Sequence, residues 1–191
     1  MVKAIFLDRD GTINIDKGYV YRKEDFKFLP GALCGLRLLY RAGYTLFIIT
    51  NQSGIGRGYY SINDYQKLMK WVERILEKNG SPITKSYFCP HLPDAVVSEY
   101  RMECQCRKPK IGLYEQAISE WNIDLEHSYV IGDSFRDLTL CLDKTRKTLC
   151  RGYLIGNNEE TEVLQKVKQG EYEMIDYADS LLDASRIIIK K

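Results

Sequence analysis

The chain alternates short, mostly apolar runs with longer stretches in which apolar residues recur every three or four positions. The first run, Val2-Lys3-Ala4-Ile5-Phe6-Leu7, is followed by a polar, aperiodic stretch from Ile13 to Leu29, which predicts a strand and then a loop over the sheet edge. Pro30-Gly31 opens a helix with Leu33, Leu36, Leu38, Leu39 and Ala42 on one face, closed by Gly43. A second buried strand covers Tyr44–Ile49. Ser61 caps a long amphipathic helix carrying Tyr65, Leu68, Met69, Val72, Ile75 and Leu76. A short strand is expected at Ser86-Tyr87-Phe88, a helix over 112–121 and a strand over Tyr129–Gly132. A short helix then runs through Leu142, and a further strand is expected over Thr148–Cys150. The tail beyond Gly156 gives a clear signal only at Ser180–Ile189, a helix packing on the sheet. Strands alternating with helices predict an α/β fold, a three-layer Rossmann-like parallel sheet with right-handed crossovers and helices on both faces.

Three of these strands end in reactive polar residues. The first runs into Asp8-Arg9-Asp10-Gly11-Thr12, the second into Thr50-Asn51-Gln52-Ser53, and the third into Asp133-Ser134-Phe135-Arg136-Asp137. The carboxyl rim of a parallel sheet is where such folds bind ligands, so Asp8, Asp10, Thr50 and Asp133 are expected on one rim. Two acids delivered to one point by a buried strand are costly unless a cation or a phosphate-handling site uses them. Asp8 and Asp133 are hard oxygen ligands suited to Mg²⁺. Asp8 can attack phosphorus as a nucleophile. Asp10 can protonate a leaving oxygen and then deprotonate water. The Thr50 hydroxyl and the backbone amides of Asn51 and Gln52 can hold phosphate oxygens, and Lys108 can neutralise charge on the phosphoryl group. Asp137 is expected to cap or brace its turn.

Composition narrows the classes. Across 191 residues the formal charge is +2, with 45% hydrophobic and 28% charged residues. This is ordinary for one globular domain and gives no basic stripe for nucleic acid or membrane surface. A strand beginning at Val2 leaves no room for a signal peptide, and the apolar runs are too short to span a membrane, so a cytoplasmic chain is expected. Its six cysteines then read as thiols or metal ligands. Cys89, His91, Cys104 and Cys106 supply three thiols and one imidazole, a closed tetrahedral set for structural Zn²⁺. Residues 89–107 hold too few apolar side chains to fold alone, and a metal there fixes Arg107 and Lys108. Cys34, Cys141 and Cys150 lie in apolar segments and are expected in the core; His127 is expected at the surface.

In order, Asp8-Arg9-Asp10-Gly11-Thr12, Thr50-Asn51, Lys108 and Gly132-Asp133 through Asp137 resemble the four motifs of the haloacid dehalogenase-like phosphatase superfamily. The resemblance implies that Asp8 is the nucleophile and Asp10 the acid/base. It places Mg²⁺ between Asp8, the backbone carbonyl of Asp10, and Asp133. With Cys89-Pro90-His91 and Cys104-x-Cys106-Arg107-Lys108-Pro109, the chain resembles the zinc-containing capless branch. That branch holds histidinol-phosphate phosphatases and heptose 1,7-bisphosphate phosphatases. The match covers about residues 1–140, and the intervals between motifs leave no room for a cap domain, so a single domain over 1–191 with the zinc loop 89–107 inserted is expected. The long loop between His91 and Cys104, and Asp16-Lys17-Gly18-Tyr19-Val20, favour the heptose group. That resemblance implies a small phosphosugar substrate, and an enzyme supplying heptose precursors of lipopolysaccharide or surface polysaccharide, here expected as a monomer. Asp16, Lys17, Gly18, Tyr19, Thr50 to Ser53, Arg107, Lys108 and Ser134 are then the expected substrate contacts. Arg107 is suited to pairing with the non-reacting phosphate. Ser134 stands where a lysine is usual in that group, and Arg136 is a candidate substitute. Histidinol phosphate is the alternative substrate. A catalytically silent, zinc-stabilised binding module is the reading from another class.

Overall fold

A computed structural model describes residues 1–143, 145, 150–156 and 162–191. Among the described residues six strands form one parallel sheet: β1 (Ala4–Leu7), β2 (Thr45–Asn51), β3 (Ile83–Cys89), β4 (Tyr129–Gly132), β5 (Arg151–Ile155) and β6 (Ile175–Ala178). Their order across the sheet is β3-β2-β1-β4-β5-β6, and every pairing is parallel. The chain winds outward from β1 in one direction through β2 and β3, and in the other through β4 to β6. β1 is therefore the switch point, with a crevice beyond its carboxyl end.

The sheet is buried on both faces, which is why β1 and β2 read as continuous apolar runs. Strand alternation splits their side chains between two cores. Ile5, Leu7, Leu46 and Ile48 face α1 (Ala32–Arg41), α3 (Ile62–Lys78) and α6 (Leu181–Ile188). Ala4, Phe6, Phe47 and Ile49 face α4 (Gly112–Trp121), a 3₁₀ segment over Phe135–Leu142 and α5 (Glu162–Lys168). Ser61 caps α3 as expected: its hydroxyl accepts from the Asp64 amide at 3.1 Å while the Asp64 carboxylate accepts from the Ser61 amide at 3.0 Å.

The structure extends the expected elements and corrects one burial. Residues 13–29 are irregular but anchored, with Ile13, Val20 and Phe26 buried against α1 and α3. Thr148 and Leu149 of the expected strand lie outside the described residues; the strand that follows is Arg151–Ile155. The tail supplies a whole further unit, α5 and β6, ahead of the expected α6. Cys34 sits on the exposed side of α1, whereas Cys141 and Cys150 are buried as expected. His127 is exposed and pairs with Asp124 at 2.9 Å. No described helix is long and apolar enough to cross a membrane.

Candidate active site

The strand ends converge where the topology requires. A cleft of about 290 Å³ opens beyond β1 and β2, lined by Asp8, Asp10, Asp16, Gly18, Tyr19, Thr50 to Ser53, Tyr60, Arg107, Lys108 and Arg136. Ser53 enters from a single helical turn, α2 (Ser53–Gly56). Two of the expected contacts are not brought to it. Lys17 does not line it: Asp16 accepts from the Gly18 amide at 2.8 Å, and of this exposed turn only Asp16, Gly18 and Tyr19 border the cleft. Ser134 also lies off the cleft, because its amide donates to Asp137 at 3.0 Å and starts the 3₁₀ turn. That turn carries Arg136 to the cleft in its place.

The floor is a buried ion cluster. Lys108 is 2% exposed, and its ammonium reaches the Asp8 carboxylate at 2.6 Å, Asp137 at 2.8 Å and the carbonyl of Ile49 at 2.6 Å. The contacts to Asp8 and Ile49 are hydrogen bonds, and that to Asp137 is an ion pair. Two hydrogen bonds fix its backbone: Asn51 Nδ2 donates to the Lys108 carbonyl and the Lys108 amide donates to Asn51 Oδ1, both at 3.0 Å. Asn51 is thus committed to placing Lys108. The Gln52 amide, expected to hold phosphate, instead donates to the carbonyl of Cys89 at 2.8 Å. Asp137 does brace its turn, but its pairing with Lys108 escaped the sequence because the two are joined only by the fold.

Carboxylate oxygens of Asp8, Asp133 and Asp137 lie within 4.8 Å of one another. Burial, opposed by Lys108 and reinforced by Asp137 and Asp10, pushes the Asp8 pKa up to about 7. Burial, with Asp137 beside it, pushes Asp133 up to about 6. For Lys108, burial works against the charge, but Asp137 and Asp8 outweigh it and hold the ammonium charged. Three carboxylates share one buried ammonium in a poorly solvated place, too little positive charge to hold all three ionised. Hard oxygen donors with that charge deficit fit a divalent cation. Gly11 keeps the space: it sits at φ +83°, and a Cβ there would lie 2.0 Å from Asp133 Oδ2.

Asp10 is held apart from this cluster. Its carboxylate accepts from Arg9 Nη2 at 2.6 and 2.8 Å and Arg9 Nε at 3.0 Å, from Asn14 Nδ2 at 2.9 Å and from Gln52 Nε2 at 3.1 Å. The expected metal role of Asp10 therefore rests on its backbone carbonyl alone. The turn that begins at Arg9, whose carbonyl accepts from the Ile13 and Asn14 amides at 2.8 and 3.1 Å, explains the separation of Asp10, while alternation divides Asp8 from Arg9. Asp8 faces the Lys108 side of the sheet, and Arg9 is turned to the other, fully buried beside Tyr65 and Met69. Arg9 was not singled out by the sequence reading; its signal was a charged residue inside a strand end that is otherwise buried.

The four cysteine-loop donors also come together. Cys106 Sγ lies 3.0 Å from Cys89 Sγ, 3.3 Å from Cys104 Sγ and 3.2 Å from His91 Nδ1; Cys89 Sγ lies 3.6 Å from both His91 Nδ1 and Cys104 Sγ. A tetrahedral ion with bonds of about 2.0–2.3 Å separates its ligands by roughly 3.3–3.8 Å; the donors stand at or slightly inside that spacing, and a small outward shift of Cys106 fits them to one metal ion. None of the four is in a disulfide. Burial pushes the Cys89 thiol well up, a penalty that a bound cation reverses. The loop is not held by these donors alone, since Leu92 and Ala95 are buried and Val97 donates to the Gly56 carbonyl at 3.0 Å.

Residues 3–174 match the polynucleotide kinase 3 phosphatase family. The chain is 47% identical over 137 residues to the D-glycero-beta-D-manno-heptose-1,7-bisphosphate 7-phosphatase of Haemophilus ducreyi, covering 71% of this chain and 75% of that one. It is 42% identical over 137 residues to the corresponding alpha-heptose enzyme of Photorhabdus laumondii, covering 72% and 75%. Among solved structures it resembles a D,D-heptose 1,7-bisphosphate phosphatase from B. bronchiseptica complexed with magnesium and phosphate, at TM-score 0.81 and 28% identity over 99% of both chains. Fold, site and relatives together define the class, a phosphoric monoester hydrolase. The chain belongs to the haloacid dehalogenase-like phosphatases, in the family of the heptose-1,7-bisphosphate 7-phosphatases.

Replacing Lys108 by Met leaves Asp8 and Asp137 buried without their counter-ion. It is expected to cost about 3–5 kcal/mol of stability at pH 7, read by urea unfolding. A loss under about 1 kcal/mol would show that the cluster is not held by this ammonium.

Proposed function

We propose that the chain hydrolyses the 7-phosphate of D-glycero-D-manno-heptose 1,7-bisphosphate. The observation that carries this is one cleft holding the Asp8–Lys108 pair, Asp10 and two guanidinium groups, Arg107 and Arg136, neither of which is in a salt bridge among the described residues. A bisphosphate sugar meets both ends: one phosphate at Asp8, the other at the arginines, which suit bidentate phosphate binding.

Asp8 attacks phosphorus while the bond to the sugar oxygen breaks, and the departing oxygen takes the proton of Asp10. Asp10 then removes a proton from water as that water attacks the acyl phosphate, which frees Asp8 and inorganic phosphate. Lys108, already 2.6 Å from Asp8, offsets charge at the reacting centre. The Thr50 hydroxyl accepts from Gln52 Nε2 at 3.0 Å, which leaves its own hydrogen for a phosphoryl oxygen. Mg²⁺ at Asp8, Asp133 and the Asp10 carbonyl would supply Lewis-acid neutralisation of the phosphoryl oxygens. Zn²⁺ at Cys89, His91, Cys104 and Cys106 would tie the end of β3 to the segment that begins with Arg107, a structural role. Asp16, Gly18, Tyr19 and Ser53 line the sugar. We further read the chain as one domain acting as a cytoplasmic monomer in the supply of heptose to surface polysaccharide.

Phosphate release from a panel of esters with Mg²⁺ tests the substrate. Heptose 1,7-bisphosphate is expected to exceed histidinol phosphate by about 100-fold in kcat/KM, the value of about two charge-assisted hydrogen bonds; equal rates would overturn the assignment. Asp8→Asn should abolish turnover while the chain still folds, read by its circular dichroism. Metal analysis of protein purified without chelator should give about one zinc per chain, and its removal should lower Tm; a zinc-free chain of unchanged Tm would remove the Cys₃His assignment.

A further inference from the structure

Tyr60 is buried at the back of the cleft, and its hydroxyl donates to Gln52 Oε1 at 2.7 Å. Gln52 is also buried, and the other end of its amide donates twice, to Asp10 Oδ2 at 3.1 Å and to Thr50 Oγ1 at 3.0 Å. Every polar atom of this amide is therefore used, and its orientation is fixed. Turned over, it would set its oxygen against the Asp10 carboxylate. We infer that Tyr60 is a positioning residue: through Gln52 it aims the Asp10 carboxyl at the departing sugar oxygen and the Thr50 hydroxyl at the phosphoryl group. The inference rests on the acid/base role proposed for Asp10.

The ring of Tyr60 is itself held in place. Tyr21 stacks on it with centroids 4.9 Å apart and planes 12° from parallel. On another side Gly54 lets it approach the backbone: a Cβ there would lie 2.2 Å from the Tyr60 ring. Tyr21 follows directly on the segment that brings Asp16, Gly18 and Tyr19 to the cleft. A second connection runs from the same segment to the same carboxylate: Arg9 Nη2 donates to the carbonyl of Val20 at 2.8 Å and also to Asp10. The substrate loop thus reaches Asp10 from two sides, through Val20–Arg9 and through Tyr21–Tyr60–Gln52. A substrate that seats this loop correctly also sets the acid/base, so the loop's selectivity should be expressed in the rate of the chemical step as well as in binding.

Tyr60→Phe keeps the ring and removes only the hydroxyl. A misaimed general acid slows loss of an alkoxide, which needs its proton, more than loss of a stable phenolate, which does not. kcat/KM reports the steps up to that first bond cleavage. Sugar phosphate and 4-nitrophenyl phosphate are compared on the same preparations, with Mg²⁺ present. The ratio of kcat/KM for the sugar ester to that for the aryl ester is expected to fall about tenfold in the variant, part of the 10²–10⁴ that a general acid contributes. Partial unfolding or weaker phosphate binding lowers both esters together and leaves the ratio unchanged; that result, from an active wild type, overturns the positioning role alone. A wild type that releases phosphate from neither ester overturns the phosphatase reading and the positioning role with it.

Discussion

The interaction on which the rest depends is the buried ammonium of Lys108 between Asp8 and Asp137. A lysine with 2% exposure is tolerable only because two carboxylates and the Ile49 carbonyl replace its water. Each partner comes from a different strand end, so this one charge holds the rims of β1, β2 and β4 in register around a common point. It also leaves the carboxylates incompletely compensated. A nucleophile must be available to attack, and a cluster neutralised entirely by protein would not need the cation that phosphoryl transfer uses. Asp8 and Asp133, both pushed upward by burial, mark that deficit.

The sheet divides the chemistry between its two faces. Alternation along the end of β1 sends Asp8 toward Lys108 and Asp137, and Arg9 toward Tyr65 and Met69 on the opposite side. Asp10 is then fixed from the Arg9 side by Arg9, Asn14 and Gln52. Two carboxylates two residues apart would share a face if the strand continued, but β1 ends at Leu7 and the chain turns at Arg9, so they acquire different surroundings, and different roles follow. The cysteine–histidine set acts on the same centre from outside, since Cys106 directly precedes Arg107 and Lys108. A metal there would anchor the segment whose backbone Asn51 already clamps.

The rim was legible because buried parallel strands announce themselves as apolar runs and the residues that end them are out of place in a turn. Asp8, Asp10, Thr50 and Asp133 could be read that way, and so could the four donors of the loop after β3, through the rarity of cysteine and histidine. Pairings made only by the fold could not. Nothing local joins Asp137 to Lys108 or Tyr60 to Gln52. The Gln52 amide looked available until β3 was seen to take it, and Lys17 looked like a substrate contact until the Asp16 turn faced it outward. β5 was not read at Arg151–Ile155 because Gly152 interrupts its apolar run; the strand expected at Thr148–Cys150 falls mostly outside the described residues. Beyond it, the short β6 is too mixed in character to stand out from the polar tail.

The most direct test of the account is covalent capture of Asp8. Protein quenched in acid during turnover, reduced to fix any acyl phosphate, cleaved after lysine and arginine and mapped by mass spectrometry should carry the modification on the peptide Ala4–Arg9, at Asp8, and on no other carboxylate. Modification at Asp10, or sustained phosphate release with no trapped carboxylate, would contradict it.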